Sequence, residues 1–253
     1  MFLLDIILIL DIIILGKEAL LMNSYAEKIR TIIMNKPENM PLIAREVYNF
    51  ECSEIPEATF YKSLERMCSK GELIHLTKGT YYRPKKGRFG AVPISTDEIV
   101  GYYTNNGQGV ALGYRLYNSK GLTTQIGKKE YILTSSITES RKQIENVVIE
   151  KINIDLTPEI IATIEMMETL QNYSKIEDIN KNAFVKYAED YSNNYFNDEI
   201  IEHVLEKRKY KKSTIAFLKS LLDAMGIENK LSEYLSPLST YAIPSMEELY
   251  ETA

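Results

Sequence analysis

Four neighbouring side chains, Thr59, Lys62, Ser63 and Arg66, are spaced to hold a polyanion. On a helix they fall along one side, two hydroxyls and two cations together. Donors of that reach bond phosphate oxygens, or the acceptor edges of bases in a major groove. Five further cations follow closely: Lys78, Arg83, Lys85, Lys86 and Arg88. Cations clustered on a hairpin bind a polyanion favourably because its condensed counterions are released. The chemistry implied is recognition of nucleic-acid phosphates and bases rather than bond making.

These residues need a helix and a hairpin to present them. The stretch from Pro56 to Arg88 supplies both signals. Pro56 suits a first helical turn, where its missing N–H costs nothing. Phe60, Leu64, Met67 and Cys68 form an apolar stripe, and Gly71 is free to take the positive φ that ends a helix. Leu73–Leu76 and Thr80–Arg83 read as strands joined by Thr77-Lys78-Gly79, a three-residue connection of the bulged-hairpin kind. Two helices are expected before it: Tyr25–Met34, carrying Ile29, Ile32 and Ile33, and Pro41–Phe50, carrying Leu42, Ile43, Val47 and Tyr48. Arg83–Pro93, rich in Pro, Gly and Lys, ends the unit. The order implies a winged helix-turn-helix over residues 22–93, with the Pro56 helix reading DNA and the hairpin as wing.

Charge is unevenly placed. The chain has 30 basic and 35 acidic residues, a net charge of −5. Ala58–Thr96 carries eight basic residues against two acidic ones, a local +6. From Asp155 onward ten basic residues face 18 acidic ones, a local −8. A basic module on an acidic protein is the distribution that a phosphate-facing surface requires.

Other chemistries lack their signatures. Cys52 and Cys68 form no CxxC, and with His75 and His203 they do not give zinc-ligand spacing. There is no GxSxG. Gly121–Lys129 misses a phosphate loop, with five residues between its glycines and Lys129 where Ser or Thr should bind magnesium. The NNGQG segment within Tyr102–Gly113 reads as a turn. A non-enzyme without metal or cofactor is expected.

Residues 94–253 read as a second domain. Helices are expected at Ser95–Tyr103 and Val110–Asn118, and strands at Glu130–Ser135 and Val147–Ile154, giving a small α/β unit. Beyond Leu156 the chain reads as helical: from Thr157-Pro158-Glu159 to Tyr173, then Lys181–Tyr191, Asp198–Glu206 and Ser213–Met225, closed by Gly226. Lys207–Lys212 reads as a solvated basic run. The expected fold class is α+β.

Met1–Leu21 resembles a membrane segment but fits one poorly. Its apolar run Phe2–Leu15 is 14 residues, short of the roughly 20 needed to span, and Asp5 and Asp11 interrupt it. No basic residue precedes it and no small-residue cleavage site follows. Gly16-Lys17-Glu18 can be encoded GGA-AAG-GAG, which contains a ribosome-binding run, and three codons then precede the Met22 codon. We expect translation to start at Met22, with residues 1–21 a mis-assigned upstream extension; a different codon choice at Lys17-Glu18 would remove the argument. The protein is then expected to be cytoplasmic, with reduced cysteines.

Several pieces resemble the AbiEi family of antitoxin-regulators from abortive-infection toxin–antitoxin systems, a phage-defence class. They are GTYYRP (Gly79–Pro84), GYRLYNSKGLTTQ (Gly113–Gln125), YKKSTIAFLKSLLDAMG (Tyr210–Gly226) and LSPLSTYAI (Leu235–Ile243). The resemblance runs from Met22 to about Leu249, and Leu122-Thr123-Thr124-Gln125 is its most specific part. It implies a winged helix that binds inverted repeats upstream of its own operon. It also implies a C-terminal domain that counteracts a nucleotidyltransferase-type toxin encoded beside it, without requiring a tight complex. Carried onto this chain, DNA contact falls to Thr59, Lys62, Ser63 and Arg66 on the helix and to Lys78, Arg83, Lys85 and Lys86 on the wing. No catalytic residue is carried over, and the acidic C-terminal region departs from a DNA-assisting domain.

The reading that follows is a transcriptional autorepressor and antitoxin. One alternative is a winged-helix regulator without a toxin, sensing a ligand in a partly apolar pocket around Tyr102, Tyr103 and Tyr114. A third reading is a protein-interaction adaptor that binds no DNA.

Overall fold

The computed structural model describes residues 24–250, in an α+β arrangement that divides into two compact units, 24–99 and 100–250. Residues 1–21, expected to be an upstream extension, lie outside the described residues. The division falls six residues beyond the boundary expected after residue 93.

In the first unit, helix α1 spans residues 24–34 and buries Ile29 and Ile33. The helix expected over Pro41–Phe50 is shorter. Leu42–Ile43 forms a strand, β1, and α2 covers Ala44–Glu51. Tertiary pairing overrides local pattern here: Leu42 and Ile43 pair with Tyr81 and Thr80. The Ala44 N–H donates to the Gly79 carbonyl at 2.9 Å.

Helix α3 is Glu57–Ser69, with Pro56 as its extended N-terminal neighbour. Phe60, Leu64 and Met67 are buried against α1 and α2 residues of one core, and the Tyr48 and Phe60 ring centroids lie 5.4 Å apart. The helix ends at Gly71, φ +70°. There the Glu72 N–H donates to the Met67 carbonyl (3.0 Å) and the Gly71 N–H to that of Cys68 (2.9 Å), a Schellman closure.

Strands β2 (Ile74–Thr77) and β3 (Thr80–Tyr82) complete an antiparallel sheet in the order β1-β3-β2. The connection is the two-residue turn Lys78-Gly79, not three residues, and the extra residue is taken up as an irregularity between His75 and Thr77. Thr80 and Tyr82 are buried. A second hairpin follows that the Pro/Gly/Lys-rich composition concealed: β4 (Lys85–Gly87) pairs antiparallel with β5 (Gly90–Val92). Every residue of these two strands is exposed. Helix α4 (Thr96–Thr104) opens on a capping box. The Ser95 Oγ accepts from the Glu98 N–H (3.2 Å), and the Glu98 carboxylate accepts from the Ser95 N–H (2.8 Å).

The second unit has a four-stranded sheet, β6 (Gly109–Leu112), β7 (Glu130–Thr134), β9 (Val147–Lys151) and β8 (Arg141–Ile144), in the order β6-β7-β9-β8. β7 and β9 run parallel, and the other pairs are antiparallel. The helix expected over Val110–Asn118 is instead strand β6 followed by α5 (Tyr114–Ser119). Gly109 explains the close pairing: a Cβ there would lie 2.2 Å from the Tyr103 carbonyl oxygen and 2.8 Å from that of Leu133. β8 escaped notice because Arg141-Lys142-Gln143-Ile144 buries only Ile144.

Helices α6 (Pro158–Asn172), α7 (Lys181–Asn194), α8 (Asp198–Lys207) and α9 (Lys212–Ala224) follow. Thr157, Asn180 and Asn197 cap the first three by side-chain bonds to first-turn N–H groups. Ile164, Met167, Phe184, Val204 and Leu222 lie in one core with β6 and α5, and Tyr173 packs edge-on against Phe184 and Phe217. A short helix, α10 (Met246–Tyr250), buries Leu249. Among the described residues no helix is long and apolar enough to cross a membrane.

Candidate functional site

The nine cationic and hydroxylic residues singled out from sequence do not share one environment. Lys62 and Arg66 are exposed on α3. Thr59, on the same side, is half-buried, and its carbonyl accepts from the Ser63 Oγ at 2.8 Å. Ser63 is buried at 5% exposure. It sits three residues after Phe60 and four before Met67, which turns it into the core flank of the stripe. Ser63 is therefore corrected from a surface contact to a helix-packing residue.

Arg83 and Lys85 both have acidic partners within the unit, Arg83 largely buried and Lys85 at the surface. Arg83 is committed to the fold: its guanidinium donates to the Lys36 carbonyl and to Glu38. Its side chain is 15% exposed. Lys85 reaches Glu98 at 3.2 Å. The remaining predicted cations, Lys78 on the β2–β3 turn and Lys86 and Arg88 on the second hairpin, are exposed. Among the described residues Lys62, Arg66, Lys78, Lys86 and Arg88 form no salt bridge.

Several acids of this unit are paired with its cations, whereas Glu57 and Glu65 are exposed on α3. Glu72 is gripped by the Arg30 guanidinium (2.9–3.1 Å), which holds its carboxyl below the usual carboxylate range. Lys70 and Lys86 add to that through their charges. Glu38 goes to Arg83 and Glu98 to Lys85. A cleft of about 430 Å³ runs past Arg30, Lys70, Glu72, Arg83 and Lys86, between α1, the end of α3 and the second hairpin.

Two residues that sequence reasoning missed position this hairpin. Asn39 is buried at φ +50°. Its N–H donates to the Arg83 carbonyl (2.7 Å), its Oδ1 accepts from the Lys85 N–H (2.9 Å), and its Nδ2 donates to Glu98 (3.3 Å). Glu98 binds Asn39, Lys85 and Ser95 at once. Its carboxyl is held below the usual range, first by the Ser95 N–H. The sequence signals were Asn39 in a turn-forming stretch after Pro37 and Glu98 three residues after Ser95 at a helix start. A third missed residue is Phe89, 96% exposed at the hairpin tip. An aromatic between glycines in a basic loop was its signal.

The second unit holds a cavity of about 420 Å³ lined by Tyr114, Tyr117, Tyr131, Glu168, Asn172 and Arg208. Glu168, on α6, is buried and accepts from the Arg208 Nε at 2.6 Å. Arg208 also lies 3.7 Å from Glu150. This corrects the solvated reading of Lys207–Lys212 at Arg208, which a buried carboxylate draws inward. The Tyr117 phenol is pushed well up by burial and by the nearby Glu168 charge. Of the three tyrosines named for the ligand-sensing alternative, Tyr114 lines this cavity and Tyr102 and Tyr103 do not; Tyr103 is buried edge-on against Tyr102. Among the described residues no three His, Cys, Asp or Glu gather as a metal site. No family model matches the chain, and no curated protein matches it at a significant level.

Proposed function

We propose that the chain is a DNA-binding transcriptional regulator whose first unit is a winged helix-turn-helix. The observation that carries this reading is the element order α1-β1-α2-α3-β2-β3, with the sheet ordered β1-β3-β2, combined with unpaired Lys62 and Arg66 on the exposed side of α3. A helix packed on two others, with an open side that carries Lys62 and Arg66 alongside the exposed Glu65, suits insertion in a major groove. Lys78, Lys86 and Arg88 suit the flanking phosphates. Autorepression and the antitoxin role against a nucleotidyltransferase-type toxin rest on the resemblance to AbiEi proteins in Gly113–Gln125 and Tyr210–Gly226.

The test is an electrophoretic shift of the full chain on the duplex upstream of its own gene, at two salt concentrations, against a scrambled duplex. Specific, salt-sensitive binding is expected, and Arg66→Ala should weaken it by about 1–3 kcal/mol. Binding to neither duplex at low salt would remove the regulator reading and leave the adaptor. The antitoxin role is tested by co-expression with the neighbouring gene: growth rescued by the full chain supports it, and undiminished toxicity rejects it.

A ligand-sensing regulator is the second reading, favoured by the 420 Å³ cavity with three tyrosines and the Glu168–Arg208 pair. A cavity of that size, part apolar with a few convergent polar groups, is suited to a small molecule. Thermal-shift screening of metabolites would support it if a stabiliser also changed DNA affinity; stabilisers without such an effect would reject it.

A further inference from the structure

The tip of the second hairpin is built differently from a phosphate clamp. Gly87 pairs with Gly90, so the turn consists of Arg88 and Phe89 alone. Gly90 takes φ +118°, a conformation that a side chain would strain. A Cβ on Gly87 would come within 2.9 Å of Val92 Cγ2. The turn is thus tight and narrow, and it presents one large apolar ring. Phe89 is 96% exposed, more than any other aromatic side chain among the described residues that are exposed and large. The Arg88 guanidinium lies over that ring, 5.6 Å from its centroid. Lys85 and Lys86 sit on the strand behind it, and no acid occurs between Arg83 and Thr96.

A bare phenylalanine contributes nothing to phosphate binding and costs solubility, so cations alone do not account for this tip. The combination suits a base stack approached through a negatively charged groove. Apolar wedges enter the minor groove, part a base step and kink the duplex, and a neighbouring arginine favours the same groove electrostatically. Width agrees with this role: with two residues at the apex and glycines on both sides, the only bulk beside the ring is the long, flexible Arg88 side chain. We propose that Phe89 is a wedge that inserts between base pairs of duplex DNA, with Arg88 in the adjoining minor groove. The inference rests on the DNA-binding reading above.

The test uses the full chain with Phe89→Ala, Phe89→Leu and Arg88→Ala, on the duplex upstream of its own gene. Affinity is read at several salt concentrations, and bending by end-to-end energy transfer. Phe89 packs on no core, so its variants should keep the fold, checked by circular dichroism. The expected result is a wild-type bend of at least about 20°. Phe89→Ala should lose most of the bend and about tenfold in affinity, with an unchanged salt slope, because no charge is removed. Phe89→Leu should keep the bend, since Leu is also a wedge. Arg88→Ala should lower the salt slope by about one. Wild-type bending and affinity in Phe89→Ala would overturn the wedge while leaving the regulator reading intact. Tighter binding to single strands than to the duplex, lost in Phe89→Ala, would assign the ring to single-strand stacking and overturn it likewise. No binding of any DNA by the wild type would overturn both readings.

Discussion

The two hairpins of the first unit lie next to each other in sequence and are held by different forces. In the β2–β3 hairpin Thr80 and Tyr82 are buried, and β1 pairs along its outer edge. In the β4–β5 hairpin every strand residue is exposed, and attachment comes from polar groups at the base, through Asn39, Arg83 and Glu98. The first hairpin is part of the scaffold. The second is displayed by it, so its residue types are not set by packing. That is why its cations and its phenylalanine are informative about function, whereas the aromatic residues of β3 are not.

The contrast can be broken at its strongest point by Tyr82→Ala. Removing this buried ring should destabilise the protein by about 3–5 kcal/mol, measured by urea unfolding with circular dichroism. A loss below about 1 kcal/mol would mean that the first hairpin is not structural. Asn39→Ala should cost about 1–3 kcal/mol, because the Lys85 N–H loses its acceptor. It should also speed hydrogen exchange at Lys85. Asn39→Gly sharpens the point, since glycine tolerates φ +50°. If it restores full stability, backbone conformation and not the amide bonds anchors the hairpin. Lys86→Ala should change stability by less than about 0.5 kcal/mol while lowering the DNA salt slope by about one. A stability loss as large as that of Asn39→Ala would place Lys86 in the scaffold. A further modest effect concerns pH. The Glu98 carboxyl is held below its ordinary value of 4.5, so its contribution is present above that pH and fades as pH falls through the lower folded value. Wild type should exceed Glu98→Gln by under about 1 kcal/mol at neutral pH, the group being partly exposed. The gap should close below pH 4.5, and a gap that widened on acidification would refute the assignment.

What could be read from sequence was local. The bounds of α3 within a residue or two, its apolar stripe and its glycine stop all follow from residues within one helix. The long helices α6 to α9 were legible for the same reason, the first from its Thr157 cap; the Asn180 and Asn197 caps went unread. The misses depended on distant partners. β1 is a strand only because β3 lies beside it, 38 residues on from Leu42. β8 is polar on all but one residue and is defined by β9. Among the site residues, charge alone could not tell Lys86 from Arg83, whose partner Glu38 is 45 positions away. Ser63 failed for a finer reason: at 100° per residue it borders both the cationic side and the apolar stripe, and burial decided between them.

The exposure of the second hairpin also has a thermodynamic meaning. Denaturant slopes and heat-capacity changes report the surface that unfolding uncovers. Residues 85–92 are exposed on both strands, though Val92 only to 39%, so their melting uncovers little. The denaturant slope and the heat-capacity change are therefore little affected by whether this hairpin is formed. Its order can change while those two quantities stay the same, and amide exchange along Lys85–Val92 is the observable that registers it.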